Sequence, residues 1–242
     1  MKKILAIVAV LGLLYGCTKP DNYPGPDSAF SGNVIDSVTG QNLLTETGGF
    51  QIEMLEYSWS ANPDPYYIPS KPDGSYEDTR IFSGHYGVFP TQGAFWPPAD
   101  SILRDIKGNA TQNFTVVPYL EVLNFTHVLS GDTLYMSFQI SAPYKQGLPQ
   151  IIDAWPFVNN TPFVGSGAMI SNYTNSSEGN PSKNTIDINS NWDDSLLTKT
   201  YTMMVPGLLP GRTFYARVGV RVNDSYKKFN FSPVIEVDVP SK

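Results

Sequence analysis

Apolar and polar positions alternate with a period of two along much of this chain. Phe50, Ile52 and Met54 are separated by Gln51 and Glu53. Leu134, Met136, Phe138 and Ile140 alternate with Tyr135, Ser137 and Gln139, and Tyr201, Met203 and Val205 repeat the pattern. The longest series is Phe214, Ala216, Val218, Val220 and Val222, interleaved with Tyr215, Arg217, Gly219 and Arg221. Successive side chains of a strand point to opposite faces, so each series predicts a strand with one face on a core and the other toward solvent. Residues 84–89 and 113–117 are shorter strand candidates. Pro72-Asp73-Gly74-Ser75 predicts a tight turn, because Pro presets φ and Gly tolerates its positive values. Residues 171–194 are polar and rich in Asn and Ser, which predicts a long loop with a short strand around Ile186. No stretch sustains a period of 3.6. With a boundary near Val117-Pro118, the chain reads as all-β, two consecutive β-sandwich domains.

The beginning of the chain has a different pattern. Lys2 and Lys3 precede an apolar run over 4–14, which suits an export signal and falls short of the roughly 20 residues of a membrane span. Gly16 then precedes Cys17, the only cysteine. That order predicts lipidation of Cys17 after cleavage. Pro20, Pro24, Gly25 and Pro26 follow and predict an extended tether. The expected organisation is a lipoprotein signal at 1–16, a lipidated Pro-rich tether at 17–27, and sandwiches at 28–117 and 118–242. The acyl group on Cys17 would be the membrane partner. With no second cysteine, stability must come from packing rather than disulfides.

Charge and chemistry narrow the function. Lys and Arg total 16 against 22 Asp and Glu, a net charge of −6, and no basic stripe exists to bind nucleic acid. His85 and His127 are the only histidines, they fall in different predicted domains, and neither has a second His or a Cys beside it. No phosphate-cradling glycine loop and no nucleophile elbow is present. Asp193-Asp194, and Asp64 with Glu77 and Asp78, read as solvated loop acids. The expectation is therefore no catalytic residues, no metal, no cofactor and no enzyme activity.

Aromatic residues in loops point elsewhere, because sugar rings stack on exposed Trp and Tyr while Asn, Asp and Gln bond their hydroxyls. Trp59, Tyr66 and Tyr67 lie in or beside a Pro-rich loop, and Trp192 lies in the polar loop; these four are the candidate glycan-binding residues. Phe95 and Trp96 suggest interdomain packing, and Trp155 suggests core. Asp-Ser/Thr-apolar triplets place candidate O-glycosylation at Ser28, Ser37, Ser101, Thr133 and Ser195, a pattern resembling that of Bacteroidetes O-glycosylation sites.

Several segments carry a family resemblance. Ser31-Gly32-Asn33-Val34-Ile35-Asp36 with Thr39-Gly40, then Asp73-Gly74-Ser75-Tyr76 and Ser83-Gly84-His85-Tyr86, resemble the carboxypeptidase-regulatory or transthyretin-like sandwich. Gly207-Leu208-Leu209-Pro210-Gly211-Arg212-Thr213-Phe214 resembles the corner of a fibronectin type III or immunoglobulin-like domain, with Phe214 where that family places a tyrosine. Together with the Cys17 signal, Asp21-Asn22-Tyr23 and Val117-Pro118-Tyr119-Leu120, the chain resembles a Bacteroidetes two-domain lipoprotein family of unknown function. The resemblance implies an outer-membrane, lipid-anchored protein at the cell surface or on the periplasmic face. It also implies a place beside SusC/SusD-type glycan-uptake proteins, with a polysaccharide or those proteins as partner. It transfers no catalytic residue. A structural or adhesive spacer is the alternative, and a glycan hydrolase a third reading.

Overall fold

A computed structural model describes residues 24–175 and 184–241. Cys17, its signal and most of the tether lie outside the described residues.

The first sandwich contains β1 (Ser28–Asp36), β2 (Gln51–Glu56), β3 (Tyr66–Pro69), β4 (Ser75–Ile81), β5 (Gly84–Thr91), β6 (Ile102–Ile106), β7 (Asn109–Thr111) and β8 (Phe114–Val116). One sheet runs β4-β1-β7 with β8 also on β1; the other runs β3-β2-β5-β6. Phe30, Val34, Phe50, Ile52, Met54 and Val88 fill the space between them, each fully shielded from solvent. Burial of such side chains stabilises by roughly 1.5–3 kcal/mol apiece. The Asp73-Gly74 turn is present, with Asp73 accepting from the Ser75 amide at 3.0 Å and Gly74 at φ 78°. Tyr76, launched by that turn, donates its hydroxyl to the Gln112 carbonyl at 2.5 Å. Gly32 is required opposite it, since a Cβ there would lie 1.8 Å from the same carbonyl oxygen.

The second sandwich follows with β9 (Glu121–Ser130), β10 (Thr133–Ser141), β11 (Ile151–Asn159), β12 (Ile186–Ser190), β13 (Tyr201–Val205), β14 (Thr213–Val222), β15 (Phe229–Phe231) and β16 (Ile235–Asp238). Its sheets run β13-β10-β9 and β12-β11-β14-β15, with β16 also on β14. The alternating residues of β10, β13 and β14 meet in one core. Phe214 is buried there, edge-on to Tyr173 at 5.4 Å. The fold is thus all-β, as the alternation predicts.

Three expectations need correction. Arg217, on the polar row of β14, does not face solvent: it is 2% exposed, because that row is covered by Phe231 and by the first sandwich. Glu77 and Asp78 do not lie in a loop; the turn at Gly74 feeds directly into β4, which contains both. Trp155 is half-buried outside the main core, where the Arg221 guanidinium sits 4.9 Å from its ring and 4.9 Å from Phe229.

The two sandwiches are clamped at several points. Asn230 accepts from the Leu120 amide at 3.1 Å and donates to the Ala94 carbonyl at 2.8 Å. Lys228 donates to the Gly48 carbonyl at 2.9 Å. The Glu46 carboxylate accepts from the amide and hydroxyl of Ser166. Phe95 packs on Phe50 in the first core, while Trp96 meets Tyr119 at 5.2 Å and Tyr144 at 5.3 Å, edge-on to both rings.

Candidate functional site

The core-facing rows of the first sandwich change character at one end. On β2 the row Ile52, Met54 ends in Glu56; on β3 Ile68 gives way to Tyr66; on β4 Tyr76 is followed by Asp78 and Arg80. The pairings place these changes together, since Tyr66 lies opposite Met54, and Glu56 opposite Tyr86 of β5. The result is an open mouth of about 240 Å³ with Met54 and Ile81 among its apolar lining, Tyr66, Phe82 and Tyr86 as aromatic walls, and Glu56, Asp64 and Arg80 as polar lining. Such a mixture of apolar walls and a few polar groups is what a small-molecule site requires.

Hydrogen bonds hold the mouth in shape. Tyr66 donates its hydroxyl to Asp78, whose other carboxylate oxygen accepts from the Arg80 amide at 2.8 Å. The hydrogen bond to Asp78, aided by partial burial, pushes the Tyr66 phenol up to about 12, so it stays a neutral donor. Tyr86 donates to the Phe82 carbonyl at 2.9 Å, and burial, with the charges of Glu56 and Asp27, pushes its phenol up to about 12. Oε1 of Glu56 is shielded from solvent and finds no hydrogen-bond donor among the described residues.

The candidate glycan-binding residues separate in space. Tyr66, 49% exposed, lines the mouth, and Trp59, 71% exposed, rides on the loop that also supplies Asp64. Tyr67 points to the opposite face of β3, toward Glu53 and Tyr226; burial, then the Glu53 charge, raises its phenol. On that face Tyr57 lies across Gly87, where a Cβ would meet the Tyr57 ring at 2.9 Å. Trp192 is remote, on the second sandwich, half-buried against its core. Its indole donates to Asp194 at 2.9 Å and Lys145 stands 6.0 Å from its ring.

Asp64 was read as a solvated loop acid, and among the other polar and aromatic mouth residues Glu56, Arg80, Phe82 and Tyr86 were missed by sequence reasoning. Glu56 had a readable signal, an acid on the buried parity of an otherwise apolar strand row. The remaining three depend on how β4 and β5 meet across the sandwich.

Among the modification candidates, Ser28 is 4% exposed and bonded to Ser83 at 2.9 Å, whereas Ser37, Ser101 and Ser195 are exposed and Thr133 is half-exposed. His85 on β5 meets Asp105 at 2.6 Å on the outer face, away from the mouth. A recess of about 310 Å³ lies at the domain junction between Asn42, Leu44, Leu120 and Glu121. Among the described residues no group of three or more His, Cys, Asp or Glu is arranged to hold a metal ion, and no helix is long and apolar enough to cross a membrane.

The profile of the N-terminal domain of a protein of unknown function, DUF3823, matches residues 28–117, and that of a domain of unknown function, DUF3823_C, matches residues 120–236. The chain belongs to the DUF3823 family. A DUF3823 family protein from Bacteroides uniformis has the same fold, with a TM-score of 0.75 at 24% identity over 89% of this chain and 100% of its own. A second Bacteroides uniformis protein, given as a candidate carbohydrate binding protein, aligns with a TM-score of 0.71 at 18% identity, covering 89% of this chain and 100% of its own. A DUF3823 protein from Parabacteroides merdae aligns with a TM-score of 0.67 at 18% identity, again over 89% and 100%. At these identities the likeness is one of fold. Among proteins with curated descriptions, none matches this DUF3823 chain.

Proposed function

We propose that this protein is a non-enzymatic, outer-membrane lipoprotein anchored through Cys17 that binds glycan at the mouth of its first sandwich, as an accessory to polysaccharide uptake. The observation that carries the binding role is the convergence of Tyr66, Phe82 and Tyr86 with Glu56, Asp64 and Arg80 around one cavity. Aromatic faces for ring C–H groups and planar polar groups for hydroxyls are the two things a sugar needs. The description of one structural relative as a candidate carbohydrate binding protein agrees with this reading. The family resemblance and the signal before Cys17 support the outer-membrane setting and SusC/SusD-type neighbours.

Affinity electrophoresis of the chain from residue 18 onward, run against a panel of polysaccharides, tests the proposal. Retardation on at least one polysaccharide, lost in Tyr66→Ala, is expected; mobility unchanged on every polysaccharide, highly branched ones with many chain ends included, defeats direct binding. Two carboxylates beside one cavity also suit a glycoside hydrolase. Reducing ends should therefore be assayed on the retained glycan, and their release would replace the binding role with an enzymatic one.

A spacer role is favoured by a different observation. The buried contacts of Glu46, Arg217 and Asn230 hold the sandwiches in one arrangement. Capture of uptake-type membrane proteins by the glycan-free protein, without retention on any polysaccharide, would support that second reading.

A further inference from the structure

Resting on the glycan-binding reading, we infer that the mouth recognises a single, uncharged sugar unit at a chain end and excludes acidic sugars. Three features carry this: size, the direction of the hydrogen bonds, and charge.

The cavity of about 240 Å³ has Met54 and Ile81 among its lining and opens between the ends of β2, β3 and β4. A recess of that volume admits one ring. A chain interior, with glycosidic bonds leaving on both sides, needs an open groove or a flat platform instead.

The polar groups that face the cavity are mostly acceptors. The Tyr66 proton is given to Asp78, and the Tyr86 proton to the Phe82 carbonyl. Glu56 lines the cavity, and Asp64 adds a second carboxylate at the rim. Ionised carboxylates only accept hydrogen bonds, so a ligand that brings donors is favoured there. A sugar hydroxyl is such a donor. A carboxylate or sulfate is not.

Charge acts in the same direction. Glu56 and Asp64 line the cavity with one cation, Arg80, while Asp78 stands behind Tyr66, and the whole chain is acidic at −6. Like charges held in a partly desolvated recess repel far more than in water. The site thus sorts neutral glycans from uronic-acid and sulfated ones.

Isothermal titration of the chain from residue 18 onward, which includes every strand described, provides the test. The probes are methyl glucoside, methyl galactoside and their uronic-acid counterparts, and neutral oligosaccharides with free or blocked non-reducing ends. The expected result is binding of a neutral glycoside and at least tenfold weaker binding of the matching uronide. Blocking the chain end should abolish binding of the oligosaccharide. Glu56→Gln should weaken the neutral ligand about tenfold and narrow the gap to the uronide; Asp64→Asn, at an exposed position, should narrow the same gap without risk to folding. Equal or tighter binding of the uronide, or binding of end-blocked chains, overturns this inference and leaves glycan binding standing. No heat with any neutral or acidic glycan overturns both.

Discussion

The Arg217 guanidinium donates to the Thr45 carbonyl at 2.7 Å, joining β14 of the second sandwich to a loop of the first 172 positions away. Its carbon centre sits 3.6 Å from the Phe231 ring, and burial lowers its pKa to about 10 although Glu46 favours the charge. Removing the guanidinium leaves the buried Thr45 carbonyl without its donor, at a cost of about 1–3 kcal/mol. Arg217→Ala should therefore separate thermal unfolding into two calorimetric transitions. A single transition with unchanged midpoint would show that the clamp contributes nothing.

Asn230 uses both ends of its amide to join the Leu120 amide and the Ala94 carbonyl. Asn230→Leu strands one buried acceptor and one buried donor, which should destabilise by about 2–4 kcal/mol. Urea unfolding measures this, and a loss below ~1 kcal/mol would count against a rigid junction.

Glu121 at the domain junction has a raised pKa, chiefly from burial and then from the Asp36 charge, with the Ser141 hydroxyl opposing. The folded state therefore holds the proton more tightly than the unfolded chain. The stabilising contribution is fully present below the ordinary glutamate value, about 4.3, and is lost as pH rises through the raised folded value. Glu121→Gln should raise the melting temperature at neutral pH and flatten its dependence above pH ~4. Parallel pH curves for the two proteins would refute the assignment.

Trp59 and Trp192 should behave differently although both are loop tryptophans. Trp59→Ala should weaken glycan binding by roughly 3- to 10-fold, the worth of one aromatic contact, with little change in stability. Trp192→Ala should lower stability, because its indole packs on the second core and bonds Asp194, and should leave glycan affinity unchanged. Titrating both variants alongside thermal melts separates the two roles; the reverse pattern moves the site to the second sandwich.

How far the chain could be read in advance varies by element. β10, β13 and β14 were legible because one face of each lies on a core, which enforces alternation. β9 shows no such alternation, and only a strand ending near His127 was expected there, because as an edge strand it is partly exposed along its whole length and nothing imposes a pattern. β3 and β4 were obscured by Tyr66, Asp78 and Arg80, polar groups on core-facing rows. These are the residues that make the mouth. Tyr66 itself was legible as an aromatic beside a Pro-rich loop, whereas Phe82 and Tyr86 carried no local sign of a shared cavity.

The sequence by itself determined the all-β class, the turn at Asp73-Gly74 and the positions of the main core residues. All of these follow from period and backbone preference, which act between near neighbours. Only the tertiary structure decided that Arg217 is buried, that Glu77 and Asp78 belong to a strand, and that Glu56, Asp64 and Tyr66 share one opening while Tyr67 and Trp192 do not. Those outcomes depend on which strand ends meet across a sandwich and which face a second domain covers. Contacts of that kind join residues from separate strands or, as with Thr45 and Arg217, 172 positions apart, where local alternation carries no information.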